Sequence, residues 1–239
     1  MNQSSTSKPA RIVAIANQKG GVGKTTTCVN LAAAFSRMKF PVLLIDLDPQ
    51  GNATTGSGID PRRLHMSACE VLLGERTAEE AILRPEGVDY DLLPSNGDLT
   101  AAEISLLQMD RREFALKDAL QPLLSKYAWI FIDCPPSLNM LTLNALGTAN
   151  SVLIPMQCEY YALEGLTGLL NTIEQLRASI NSGLEIEGLL RTMYDGRNNL
   201  AQAVSDQLME NFGDRVYLSL IHISEPTRPP STSRMPSTA

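Results

Sequence analysis

Between Ile12 and Thr27 the chain passes from an apolar run, Ile12-Val13-Ala14-Ile15-Ala16, through Asn17-Gln18-Lys19-Gly20-Gly21-Val22-Gly23-Lys24-Thr25-Thr26-Thr27 into a stretch where Cys28, Leu31, Ala32, Phe35 and Met38 recur at helical spacing. The first run reads as a strand buried on both faces, the last as the apolar face of a helix. A glycine loop between a buried strand and a helix start constrains the fold more than any other feature here, because it is the context in which a phosphate-binding loop works. Gly20, Gly21 and Gly23 let the backbone turn tightly with its N–H groups inward, and the loop ends on the positive end of a helix dipole. The expected polyanion site comprises Gly20, Gly21, Val22, Gly23, Lys24, Thr25 and Thr26. Lys24 is expected to reach the β- and γ-phosphates as a point charge, and the Thr25 hydroxyl to ligate the Mg²⁺ that neutralises them. The six positions Lys19, Gly20, Gly21, Gly23, Lys24 and Thr25 arise together by chance at roughly 10⁻⁷ per start site.

Two further apolar runs deliver carboxylates. Pro41-Val42-Leu43-Leu44-Ile45 ends in Asp46-Leu47-Asp48-Pro49-Gln50-Gly51-Asn52. Ligands of open parallel sheets bind beyond the carboxyl ends of strands, and alternation puts Asp46 and Asp48 on one side. One can hold magnesium's water shell and the other can orient an attacking water; a strand-end Asp-Pro is otherwise a common solvated turn. Trp129-Ile130-Phe131-Ile132-Asp133 ends at Cys134-Pro135-Pro136-Ser137, where two prolines forbid the strand from continuing. Asp133 is therefore a second candidate for the magnesium shell, in the manner of a Walker B acid.

Between and after these runs, strand and helix signals alternate. Short helical patterns (Ala68 to Leu73, Ala78 to Leu83, Leu99 to Met109, Arg111 to Leu124) surround a strand signal at Tyr90 to Pro94, and the Ser95-Asn96 turn, with Leu99, Ala102, Ile104, Leu106 and Leu107 after it, reads as packing. A helix from Asn139 to Leu146, a strand from Ser151 to Pro155, a helix from Leu163 to Ile180, a strand from Ile186 to Met193 and a helix from Leu200 to Phe212 follow. Such alternation predicts an α/β fold of three layers, a mostly parallel twisted sheet with right-handed crossovers and helices on both faces.

The 239 residues suit one such domain, with 44% hydrophobic residues for a core, and a formal net charge of −6 excludes a protein coated with basic residues. The four cysteines, Cys28, Cys69, Cys134 and Cys158, lie far apart without C-x-x-C spacing, so packing thiols are expected rather than a zinc or iron–sulfur site. No run approaches the roughly 18 apolar residues of a membrane span.

Lys19-Gly20-Gly21-Val22-Gly23-Lys24-Thr25 departs from the ordinary P-loop pattern by placing Gln18 where its first glycine stands and a second lysine, Lys19, before the glycine pair. It resembles the deviant Walker A box of the ParA/Soj/MinD group of P-loop ATPases. Asp46-Leu47-Asp48-Pro49-Gln50-Gly51-Asn52 looks like the second box of the ParA type, and Asp133-Cys134-Pro135-Pro136-Ser137 matches its Walker B. The resemblance covers about residues 10 to 218. It implies ATP and Mg²⁺ as cofactors, Lys19 as a catalytic cation acting across a homodimer, Asp48 as the residue that positions the lytic water, and Asp46 as support for the metal site. It further implies slow ATP hydrolysis coupled to dimerisation, nonspecific DNA binding, a ParB-like partner that stimulates hydrolysis, and a cytoplasmic, nucleoid-associated protein. Arg197, in a strand-to-helix turn on the ligand side, becomes a candidate DNA contact, with Arg177, Arg191 and Arg215 as weaker ones. Three other classes share the loop. A MinD-like membrane-cycling ATPase needs a C-terminal amphipathic helix, an iron-protein reductase a shared cluster cysteine pair, and a P-loop small-molecule kinase a basic lid.

The two ends read differently from the domain of residues 10–218. Residues 1–9 form a polar lead-in expected to be disordered. A strand signal begins at Val216 and runs to Ile223, but eleven of the sixteen residues from Ser224 are Ser, Thr or Pro, too polar to pack. Ser219-Leu220-Ile221-His222-Ile223-Ser224-Glu225-Pro226 resembles translated sequencing-adapter sequence, so 219–239 is expected to be a foreign or disordered tail and the chain a truncated one.

Overall fold

The computed structural model describes residues 9–221. The lead-in before Pro9 and the Ser/Thr/Pro-rich stretch from Ser224 lie outside the described residues. Seven strands form one sheet: β1 (Arg11–Ile15), β2 (Val42–Asp46), β3 (Asp91–Leu93), β4 (Trp129–Asp133), β5 (Ser151–Gln157), β6 (Glu185–Thr192) and β7 (Val216–Ile221). Their spatial order is β3-β2-β4-β1-β5-β6-β7, and every strand pairing is parallel. A parallel neighbour needs a crossover, and nine helices among the described residues supply them: α1 (Lys24–Arg37), α2 (Asn52–Gly56), α3 (Ala68–Leu72), α4 (Ala78–Ala81), α5 (Leu99–Leu106), α6 (Ala115–Leu120), α7 (Met140–Thr148), α8 (Ala162–Ser179) and α9 (Asn199–Phe212).

Strand alternation divides the interior into two cores. Val13, Ile15, Leu44, Phe131 and Leu153 face α1 and α2, meeting Cys28, Ala32 and Ala53. Ile12, Ala14, Ile45, Ile132, Ile154 and Leu189 face the remaining helices, meeting Leu72, Leu106, Leu120, Leu146, Leu169 and Leu208. The three expected layers are therefore present, but unequally thick. All four cysteines are buried and free. No helix among the described residues is long and apolar enough to cross a membrane.

Several local expectations are corrected. The helix expected from Arg111 to Leu124 is a 3₁₀ turn at Arg112–Phe114, then α6, then a second 3₁₀ turn at Gln121–Leu123, because Pro122 has no N–H for a helical hydrogen bond and its ring crowds the preceding turn. Met38 lies beyond the end of α1 and is 65% exposed, while Ile104 and Leu107 point outward at 67% and 48%. Leu99, Ala102 and Leu106 carry the buried stripe of α5 instead.

Candidate active site

β1 stands at the centre of the sheet, so the chain leaving Ile15 emerges between the ends of β4 and β5 and turns back into α1. Gly21 and Gly23 adopt left-handed backbone (φ 74° and 85°), a conformation that costs a side-chain-bearing residue of this chirality roughly 1–2 kcal/mol. Gly23 is the N-cap of α1 and brings no side-chain cap, which leaves the first-turn N–H groups for an anion. The loop is propped from β6: the Thr192 hydroxyl donates to the Val22 carbonyl at 2.8 Å. Val22 itself is buried, so its contribution to a ligand is confined to its backbone.

Lys24 is 7% exposed and its ammonium donates to the Lys19 carbonyl at 3.1 Å. Burial lowers its pKa, opposed foremost by Asp133. Asp133 ends β4, level with Ile15 of β1 on one side and with Asp46 of β2 on the other. Both of its carboxylate oxygens are buried and have no hydrogen-bond partner among the described residues. Burial, then the neighbouring Asp46, push its carboxyl up to about 8, with Thr25 and Lys24 pulling the other way. A buried carboxylate in native protein is normally satisfied. An orphaned one beside a P-loop threonine and lysine fits a hydrated Mg²⁺, an oxygen-seeking ion that keeps several waters.

Asp46 is differently occupied. Its Oδ2 accepts both the Thr54 N–H and the Thr54 hydroxyl, each at 2.8 Å, and its Oδ1 accepts the Asp48 N–H at 3.1 Å. Burial raises its pKa to about 6 against those hydrogen bonds. Ser95 closes the circle: its N–H donates to Thr54 Oγ1 at 2.9 Å and its hydroxyl to the Asp48 carbonyl at 2.6 Å. Asp46, Thr54, Ser95 and Asp48 thus form a ring of hydrogen bonds that fixes the backbone from which the Asp48 side chain projects. Gly51 permits the turn, since φ is 63° and a Cβ there would stand 3.0 Å from Pro61 Cγ and 3.2 Å from the Ser95 carbonyl oxygen. The Asp48 carboxylate accepts the Gln50 N–H at 2.9 Å through Oδ1.

These elements enclose a cleft of about 530 Å³ lined by Gly20, Gly21, Gly23, Lys24, Thr25, Thr26, Asp48, Gln50, Asn52, Pro136 and Met193. Most of the residues singled out from sequence therefore converge on one cavity, with Asp133 beside Lys24 and Thr25, and Asp46 behind Asp48. Lys19 does not line the cleft: its side chain is 41% exposed and pairs with Glu159, which follows β5. Arg197 lies in the turn between β6 and α9, 85% exposed, with its guanidinium gripping Asp195 through two bonds of 3.0 Å. Arg191 is corrected as a surface candidate: it is 7% exposed, bonded to Ser205 and stacked 4.9 Å from the Tyr194 ring, because its strand position faces the α9 layer.

Sequence reading missed Thr54, Ser95, Thr192, Met193 and Glu159. Ser95, expected in a packing turn, instead ties the Asp48 backbone in place. Thr192 ends β6 and Met193, with φ 50°, follows it beside the loop, so the rule that ligands lie beyond strand ends held a signal for both. Thr54 and Glu159 carry none.

An AAA domain family profile matches residues 10–186. The chromosome partitioning protein ParA of Caulobacter vibrioides is 47% identical over 218 residues, which are 90% of this chain and 82% of that protein. The sporulation initiation inhibitor protein Soj of Bacillus subtilis is 46% identical over 211 residues, 88% of this chain and 83% of that protein. The crystal structure of cobyrinic acid a,c-diamide synthase from Mycobacterium smegmatis with bound ATP analogue and magnesium superposes with a TM-score of 0.81 at 43% identity, covering 85% of this chain and 83% of that one. Together with the parallel sheet and the glycine loop at the start of α1, these likenesses show that the chain belongs to the ParA/Soj family of partitioning ATPases and is an ATP-hydrolysing enzyme.

Proposed function

We propose that the protein is the ATP-driven switch of a DNA-partitioning system: Mg-ATP joins two copies, the dimer binds DNA nonspecifically, and a ParB-like partner stimulates hydrolysis and release. The observation that carries this reading is the separation of the two loop lysines. Lys24 is buried at its own cleft, whereas the Lys19 ammonium stands outside it on the exposed edge. A cation displayed there suits the phosphates of a second subunit, where it would offset transition-state charge as an arginine finger does.

Within one subunit the loop backbone and Lys24 hold the triphosphate, and Asp48 orients the attacking water from its braced turn. Thr25 and Asp133 hold the magnesium shell, with Asp46 acting through the Asp48 loop. Magnesium, when bound, neutralises phosphate charge. Arg197 is the candidate DNA contact, being exposed at the carboxyl end of the sheet. Its pairing with Asp195 lies wholly on the surface, where solvent screens an ion pair and a phosphate readily replaces the carboxylate. The corresponding location is the cytoplasm, on the nucleoid.

Sizing chromatography with ATP, coupled to hydrolysis assays with and without nonspecific DNA and the partner, tests the proposal. Lys24→Ala is expected to lose nucleotide binding, and Lys19→Ala to bind ATP yet stay monomeric and inactive. A Lys19→Ala protein that dimerises and hydrolyses like the wild type refutes the trans role.

A further inference from the structure

Three consecutive residues leading into the phosphate loop meet β5, α8 and the turn between them. Asn17 Nδ2 donates to the Pro155 carbonyl at 2.7 Å, and its Oδ1 accepts the Lys19 N–H at 3.0 Å. Gln18 lies so close to α8 that a Cβ on Gly168 would stand 3.2 Å from its Nε2. Lys19 follows, with its ammonium on Glu159 and its carbonyl accepting the Lys24 ammonium. Both functional lysines thus rest on acceptors supplied by the chain itself, Lys24 on a carbonyl and Lys19 on a carboxylate.

We propose that Glu159 is the positioning residue for Lys19: within one chain it holds the ammonium against its own β5–α8 turn, and Lys19 serves a second subunit only when that ion pair is given up. The inference rests on the trans role of Lys19 proposed above. A lysine on a flexible four-carbon stem has no fixed direction of its own, so the carboxylate sets where the charge stands. The side chains are 41% and 53% exposed, so water weakens the pair, and a polyphosphate outcompetes a single carboxylate for the ammonium. The pair therefore acts as a threshold on dimerisation rather than a block.

Glu159→Gln keeps the side chain's size and removes its charge. Dimerisation across ATP concentrations, followed by sedimentation, is expected to tighten about two- to fivefold, the range an exposed ion pair supports. Affinity of the monomer for a fluorescent ATP analogue and the thermal midpoint are expected to stay unchanged. Glu159→Asp, which retains the charge, should return toward wild type, and Glu159→Gln combined with Lys19→Ala should dimerise no better than Lys19→Ala. Unchanged or weakened dimerisation of Glu159→Gln, or a gain that persists without Lys19, overturns the proposal. Lys19→Ala alone separates the two levels. Wild-type behaviour of that variant removes the trans role itself, whereas its failure to dimerise beside a wild-type-like Glu159→Gln removes only the positioning role.

Discussion

Asp46 and Asp133 stand side by side on adjacent parallel strands, yet one carboxylate accepts three protein hydrogen bonds and the other accepts none among the described residues. The neighbouring Asp46 adds to the burial that raises the pKa of Asp133, and the asymmetry of their hydrogen-bond partners sets the two acids apart. Asp46 braces the turn that carries Asp48. Asp133 stands beside Thr25 and Lys24 with no hydrogen-bond partner among the described residues.

Asp133→Asn should therefore stabilise the nucleotide-free protein by about 1–3 kcal/mol, since it removes a buried carboxyl that folding forces toward its neutral form, while abolishing the magnesium dependence of nucleotide affinity. Thermal melts with and without Mg-ADP report both effects. A variant destabilised without ligand would make Asp133 a structural residue.

Asp46→Ala should act in the opposite direction. It strips acceptors from the Thr54 N–H, the Thr54 hydroxyl and the Asp48 N–H, and orphaned buried donors cost about 1–3 kcal/mol each, not additively. A loss of about 2–4 kcal/mol in urea unfolding is expected; wild-type stability would place the brace elsewhere.

Asp48→Ala should slow hydrolysis about 10²-fold, within the range of a positioned group that acts on the reacting water, with ATP affinity and the ATP-dependent dimer retained. Single-turnover rates beside equilibrium binding separate the two. If affinity falls as far as the rate does, Asp48 belongs to the ground-state site.

Thr192→Val removes one hydroxyl while keeping the side chain's shape, so it tests the prop under Val22. With the loop less rigid, ATP should bind about three- to tenfold more weakly, corresponding to a hydrogen bond of about 0.5–1.5 kcal/mol, and the maximal hydrolysis rate should change little. Calorimetric titration measures the first effect; an unaltered affinity would show that Gly21 and Gly23 hold the loop conformation unaided.

The phosphate loop and the three strand-end acids were legible in the sequence because each is a local pattern: an apolar run whose end must meet the ligand side, a glycine where the backbone turns left-handed, a proline where a strand must stop. Alternation of strand and helix signals likewise carried the parallel three-layer sheet. Where local pattern competed with tertiary context, the sequence was a poorer guide. The apolar residues Ile104 and Leu107 lie on the exposed side of their helix region, and Arg191 is buried because the parity of β6 turns it toward α9, where Ser205 and Tyr194 receive it.

By itself the sequence determined that a glycine loop joins β1 to α1 and that carboxylates stand at the neighbouring strand ends. Only the tertiary structure decided which acid is hydrogen-bonded and which has no partner among the described residues. Placing β4 between β2 and β1 sets Asp133 against Asp46 and over the loop, and folding brings Ser95 to Asp48 across 47 residues, Glu159 to Lys19 across 140 and Thr192 to Val22 across 170. None of these contacts has a periodicity or a short motif to announce it, because hydrogen bonds between distant segments follow from strand order and register rather than from neighbouring residues.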